Sequence, residues 1–194
     1  MRRILILQGH PDTATPHLLH ALADHYRQGA EQAGHEVRTL TIAEHAFPLL
    51  RSQQAWTEEP MPHALEPARD AIAWCEHLVL CFPLWLGDMP ALVKGFLEQV
   101  MRPHFAFEYV DGNPLGRKGL TGRSARVVVT MGMPAAIYRH VYRAHSVKSL
   151  ERNILGFVGF APVRETLIGS VETLDADDCR KWFTRLEKLG AKAD

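Results

Sequence analysis

The chain has 194 residues, 46% hydrophobic and 23% charged, the balance of a globular core rather than of a disordered or low-complexity segment. Its 22 basic and 22 acidic residues cancel to a formal net charge of zero, which excludes the basic footprint of a nucleic-acid binder. No apolar run approaches the length that spans a bilayer, so no membrane insertion is expected.

In chain order, short apolar strands alternate with longer amphipathic segments. Arg3 to Gln8 is strand one; its apolar run, Ile4 to Leu7, is followed at once by His10-Pro11-Asp12, a pattern unlike a signal peptide. Thr15 is placed to cap a helix whose first position is Pro16, with Leu18, Leu22, Tyr26 and Ala30 at helical spacing and Gly34 as its stop. Glu36 to Ile42 is strand two, residues 44–62 a loop with one short helical turn, and Ala64 to Cys75 a helix. His77 to Phe82 is strand three, and a helix runs from Met89-Pro90 to Met101. Residues 103–124 form a second long connection. Ala125 to Met131 is strand four, Val147 to Phe157 a helix and Pro162 to Ile168 strand five; Asp175 caps a last helix, with Asp178 three residues on.

This alternation describes an α/β fold, a flavodoxin-like doubly wound five-stranded parallel sheet of order 2-1-3-4-5, forming a single domain over residues 1–194. The three cysteines, Cys75, Cys81 and Cys179, show neither C-x-x-C nor zinc spacing, which reads as reduced thiols in a cytoplasmic protein.

Ligands in such sheets bind beyond the carboxyl ends of the strands, so the loops after strands one, three and four carry the functional expectation. The first loop lacks the G-x-G-x-x-G of a dinucleotide fold and offers donors instead: His10, Thr13, Thr15, His17 and the amides of a helix start. These suit a phosphate; the other reading is that Thr15 only caps the helix. His17 and His20 have a metal-like spacing but no third ligand, so no metal is expected. The second loop, Phe82 to Ala91, sets Trp85 between Pro83 and Pro90, a flat apolar wall for a planar ring or simply core packing. The third, Thr130 to Tyr138, offers Gly132 for close backbone approach and Tyr138 as a phenol donor, with His145 following.

Residues 82–109, FPLWLGDMPALVKGFLEQVMRPHFAFEY, together with GRKGLTGRSARVVVTMG and GFVGF, resemble the NAD(P)H:quinone oxidoreductase family. That group includes modulators of drug activity and ancillary subunits of potassium-efflux systems. The resemblance implies a flavin-dependent enzyme, with FMN ahead of FAD because the stretch after strand five is shorter than in the mammalian-type members. It places His10, Thr15 and His17 at the flavin phosphate. Pro83, Leu84, Trp85, Leu86, Thr130, Met131, Gly132 and Met133 fall at the isoalloxazine. Tyr138 is the implied catalytic residue facing the flavin, with His145 second, since the family histidine falls on Ala144. Phe107 and Tyr109 line the implied acceptor pocket, across a homodimer interface. Two departures stand out: His17 where the family often has Asn, and Met131 and Met133 where the turn commonly reads T-T-G-G.

The implied reaction is ping-pong hydride transfer from NAD(P)H to a quinone-like small molecule. The alternatives are an ancillary subunit of a potassium-efflux system and a one-electron carrier, which is typically far more acidic than this neutral chain. A phosphate-dependent α/β hydrolase or transferase would need a nucleophile elbow or P-loop, and neither is present.

Overall fold

The computed structural model describes residues 1–110 and 112–194. The described strands are β1 (Arg3–Gln8), β2 (Glu36–Thr41), β3 (His77–Pro83), β4 (Phe107–Val110), β5 (Asn113–Lys118), β6 (Ser124–Thr130) and β7 (Val163–Ile168). The helices are α1 (Leu18–Gln32), α2 (Gln53–Thr57), α3 (Glu66–Trp74), α4 (Ala91–Val100), α5 (Ala135–His140), α6 (His145–Ser149), α7 (Gly156–Val158) and α8 (Ala176–Lys192).

Five strands form one parallel sheet in the order β2-β1-β3-β6-β7, which is the expected 2-1-3-4-5 once β4 and β5 are set aside. The central strands read as unbroken apolar runs because helices cover both faces. Ile4, Ile6, Val79, Cys81 and Val128 point to the layer of α1 and α8, with Leu22, Tyr26 and Leu186. Leu5, Leu7, Leu78, Leu80, Phe82, Val127 and Val129 point the other way, to α3 and α4 through Ile72, Val93 and Phe96. The alternation follows from the two-residue period of a strand.

Three expectations shift. The 103–124 connection holds an antiparallel pair, β4 with β5. The chain after Met133 turns at once into α5, a helix the sequence reading missed, with Pro134 as its cap. Helix α1 begins at Leu18 with His17 as its N-cap, two residues later than Thr15 and Pro16 predict. Asp175 does cap α8, accepting the Asp178 amide at 2.8 Å.

An arginine and a histidine are buried inside the sheet. Arg126 of β6 is 5% exposed and donates to Thr166 Oγ1 at 2.7 Å, with Asp194 at 3.5 Å. His77 opens β3, is 1% exposed, and has Nδ1 2.7 Å from Ser124 Oγ. Burial first, and then the Arg126 charge, push its imidazole down to about 4. The unfolded chain takes up that proton near pH 6.5, whereas the folded chain does not until about pH 4. Stability is therefore full above about pH 6.5 and falls by roughly 3 kcal/mol as the pH drops towards 4. Urea unfolding of the native chain between pH 7.5 and 4.5 is expected to show this loss, and His77→Gln a shallower one. Parallel pH profiles for the two chains would contradict the assignment.

Candidate functional site

The loop from β1 to α1 leaves the sheet under tight constraint. The Gly9 amide donates to Cys81 O at 2.7 Å, and a Cβ at Gly9 would stand 2.7 Å from that oxygen and 2.8 Å from Val93 Cγ2. Only glycine permits this approach of β1 to β3. His10, 7% exposed, is fixed by its amide donating to Gln8 Oε1 at 3.1 Å and by the Asp12 amide donating to its Nδ1 at 3.1 Å.

Beyond His10 the loop wraps around one carboxylate. Asp12 accepts the Ala14 amide at 2.8 Å, the Thr15 amide at 3.4 Å and the Thr15 hydroxyl, and lies 2.8 Å from His17 Nε2. The Thr15 hydroxyl, His17 and the Ala14 amide hold the Asp12 carboxyl far below the usual carboxylate range. His17 stacks on His10 with ring centroids 3.8 Å apart, and His20 sits edge-on to both at 5.3 and 5.5 Å. Desolvation, then repulsion from His17, lowers the pKa of His10 and of His20.

The loop after β3 is a two-residue hairpin turn. Trp85 and Asp88 exchange backbone hydrogen bonds of 2.9 and 3.0 Å across Leu86 and Gly87, which both take positive φ, 48° and 81°. Such a turn normally selects Asn-Gly; Leu86 accepts the strain and ends fully exposed. The turn holds Trp85, 49% exposed, edge-on to His10 with centroids 6.1 Å apart. The loops are latched in series: Leu84 N–H to Thr130 O at 2.7 Å, Met131 N–H to Ile168 O at 2.9 Å, and Val171 N–H to Met131 O at 3.2 Å.

Between these loops lies a cavity of about 450 Å³. Of the residues singled out from sequence, His10, His17, Pro83, Leu84, Trp85, Thr130, Met131 and Gly132 line it. Thr15 stands beside it through its bond to Asp12, while Leu86 projects from the turn tip and Met133 packs against the core. Tyr138 and His145 do not line it. Tyr138 is 2% exposed with its hydroxyl 2.6 Å from Ser146 Oγ, and His145 lies exposed at the start of α6. Phe107 lines a separate apolar cavity of about 180 Å³ with Trp56 and Phe157, and Tyr109, 70% exposed, packs edge-on against Phe107.

Sequence reasoning missed Asp12, Val171 and Glu172, all of which line this cavity between the loops. An Asp followed by two small residues and a threonine was the available signal for Asp12. The loop after β7 lies at the same sheet edge and merited the same scrutiny as the other three. Among the described residues, no group of three His, Cys, Asp or Glu side chains is arranged to hold a metal ion, and no helix is long and apolar enough to cross a membrane.

Residues 2–189 match the family described as having the flavodoxin-like fold, and the chain belongs to that family. A protein of Haemophilus influenzae named as an uncharacterized NAD(P)H oxidoreductase is 25% identical over 97% of this chain and 94% of its own. An FMN-dependent NADH:quinone oxidoreductase of Macrococcus caseolyticus is 24% identical over 98% of this chain and 99% of its own. The crystal structure of Smu.1420 from Streptococcus mutans superposes with a TM-score of 0.82 at 25% identity, covering 98% of this chain and 99% of that one. The family resemblance read from residues 82–109 is borne out.

Gly9→Ala tests the geometry of the site's origin. The added methyl must push β1 from β3 or displace Val93, at a cost of about 1–3 kcal/mol. A lowered melting temperature is expected, with altered NMR shifts at His10 and His17; an unchanged melting temperature would show that the strand ends tolerate the methyl.

Proposed function

We infer that the cleft binds FMN and that the protein is a flavoenzyme, passing two electrons as hydride from NAD(P)H to a quinone-like acceptor. One observation carries the reading. The first loop converges two amides, a hydroxyl and an imidazole on a single anion, beside a cavity walled by Trp85. The donor set already satisfies a carboxylate, so it fits the phosphate oxygens of a flavin mononucleotide. The cavity's volume, about 450 Å³, falls in the range of small-molecule sites.

Bound flavin would supply the hydride chemistry, taking hydride from the nicotinamide and giving it to the acceptor in turn. The chain's residues bind and orient. The amides of Ala14 and Thr15, the Thr15 hydroxyl and His17 Nε2 would hold the phosphate end. Trp85, Leu84 and Met131 would exclude water from the ring. His10 and His20 are held towards their neutral forms in the free chain, and an arriving dianion favours a proton on an imidazole nitrogen, offsetting the ligand's charge.

FMN is preferred to FAD because the full-length relative in Macrococcus caseolyticus is named FMN-dependent. Phe107 and Tyr109 stand away from their own cleft, which suits a homodimer in which they reach the partner copy's acceptor site. Tyr138 would act through position, its hydroxyl tying α5 to Ser146 at the head of α6. Three free thiols, two of them buried, suit a reducing cytoplasm.

The test is an anaerobic titration of the FMN-loaded protein with NADPH and, separately, NADH, following the visible flavin spectrum. Single-step bleaching at one equivalent, reversed by a quinone, is expected. Bound flavin that neither nucleotide bleaches would contradict the oxidoreductase reading, and a protein that binds no flavin would contradict the cofactor.

A further inference from the structure

The donors of the first loop are filled by the protein's own Asp12. Four donors converge on that carboxylate: the Ala14 and Thr15 amides, the Thr15 hydroxyl and His17 Nε2. The same four groups are the ones the loop has to offer a phosphate. They cannot serve both anions in full, because each N–H or O–H has one proton to give.

We propose that Asp12 is a built-in competitor for the phosphate site, so that binding a phosphorylated flavin requires its carboxylate to be expelled, and that this exchange sets how strongly the phosphate is preferred. The proposal rests on the flavin reading for the identity of the phosphate's bearer, but not for the exchange itself.

Three features support it. The Asp12 side chain is 42% exposed, so water is available to receive the carboxylate once it leaves. The charged and titratable groups around it offer little to offset a second anion. His10, His17 and His20 come from the loop and α1, Asp24 from α1, and Glu172 from the loop after β7. No lysine or arginine lines the cavity among the described residues. A phosphate entering with Asp12 still in place would meet two carboxylates and only imidazoles to balance them, an arrangement that like-charge repulsion opposes. His17 is the pivot. Its Nε2 also lies 3.0 Å from Thr15 Oγ1, so the imidazole keeps a partner in the loop when the carboxylate leaves.

The consequence is a selectivity written in one residue. Asp12→Asn keeps an oxygen for the Ala14 amide and removes the charge. It is expected to bind inorganic phosphate about tenfold more tightly than the native chain, as read by the imidazole Cε1–H signals of His10 and His17. FMN affinity, read by quenching of flavin fluorescence, is expected to rise by the same factor, while riboflavin affinity stays unchanged. Should Asp12→Asn fold poorly, Asp12→Ala serves the same comparison, and the native chain offers its own readout. Saturating phosphate must move the carboxylate carbon signal of Asp12 as the His17 contact breaks.

Equal or weaker phosphate binding by the variants, or an Asp12 carbon signal unmoved at saturation, would overturn the proposal and make Asp12 a scaffold of the loop. Tighter phosphate binding by the variants with no flavin bound by any chain would leave the exchange standing and remove the flavin reading. Riboflavin affinity rising in step with FMN would also overturn the proposal, since the gain would then not lie at the phosphate.

Discussion

The contact between the Gly9 amide and Cys81 O, 2.7 Å long and with no space for a Cβ, fixes where the chain can leave the sheet. Because β1 ends pressed against β3, His10 enters the cavity while still buried, and the rest of the loop folds back on itself before α1 begins. That return needs a local centre for its donors, and Asp12 supplies it. The order of the sheet does the remainder: β1 and β3 are neighbours, their connections depart to opposite faces, and a crevice is left at their carboxyl ends. A different residue at position 9 would shift the origin of every group that follows it.

The crevice is stiff at its base and adaptable at its rim. Backbone hydrogen bonds carry order from Leu84 to Thr130, from Met131 to Ile168 and from Val171 to Met131, so the loops after β3, β6 and β7 are held as one wall. Residues 13–16 and the Leu86-Gly87 turn are exposed, and exchange of one anion for another needs movement of the Asp12 side chain beside that exposed stretch. Electrostatics follow the same division. The imidazoles of His10 and His20, partly buried, are disposed to stay neutral, whereas Asp12 is held ionised by its donors. Of the two carboxylates at the cavity, Asp12 and Glu172, the one that fills the donors of the first loop is thus the one that can leave.

The sheet was legible because burial on both faces writes a strand as a continuous apolar run. Arg3–Gln8 matches its predicted bounds, the strands at His77 and Pro162 differ by a residue at one end, and the strand at Ala125 is shifted by one residue at both. Elements lacking that signal were not legible. β4 and β5 lie in a stretch rich in glycine and charge, where the short aromatic alternation of Phe107 and Tyr109 did not stand out. Helix α5 is under two turns long, too short for its period to show. The start of α1 was misplaced for a physical reason: Thr15 has the chemistry of a cap, but its hydroxyl goes to Asp12. At the site, residue types and loop order were readable, whereas the partners were not. That Tyr138 turns its hydroxyl to Ser146 within the core, and that Glu172 joins the cavity from the loop after β7, are facts of packing that residue spacing does not show.

The central claim is that the cleft between the loops after β1, β3, β6 and β7 is a flavin site. A crystal structure of the protein with FMN tests it most directly. The account predicts the phosphate against the amides of Ala14 and Thr15 and His17 Nε2, with the isoalloxazine against Trp85 and the Thr130–Gly132 backbone. FMN bound instead in the apolar cavity of Trp56, Phe107 and Phe157, or with its phosphate turned away from the first loop, would contradict it.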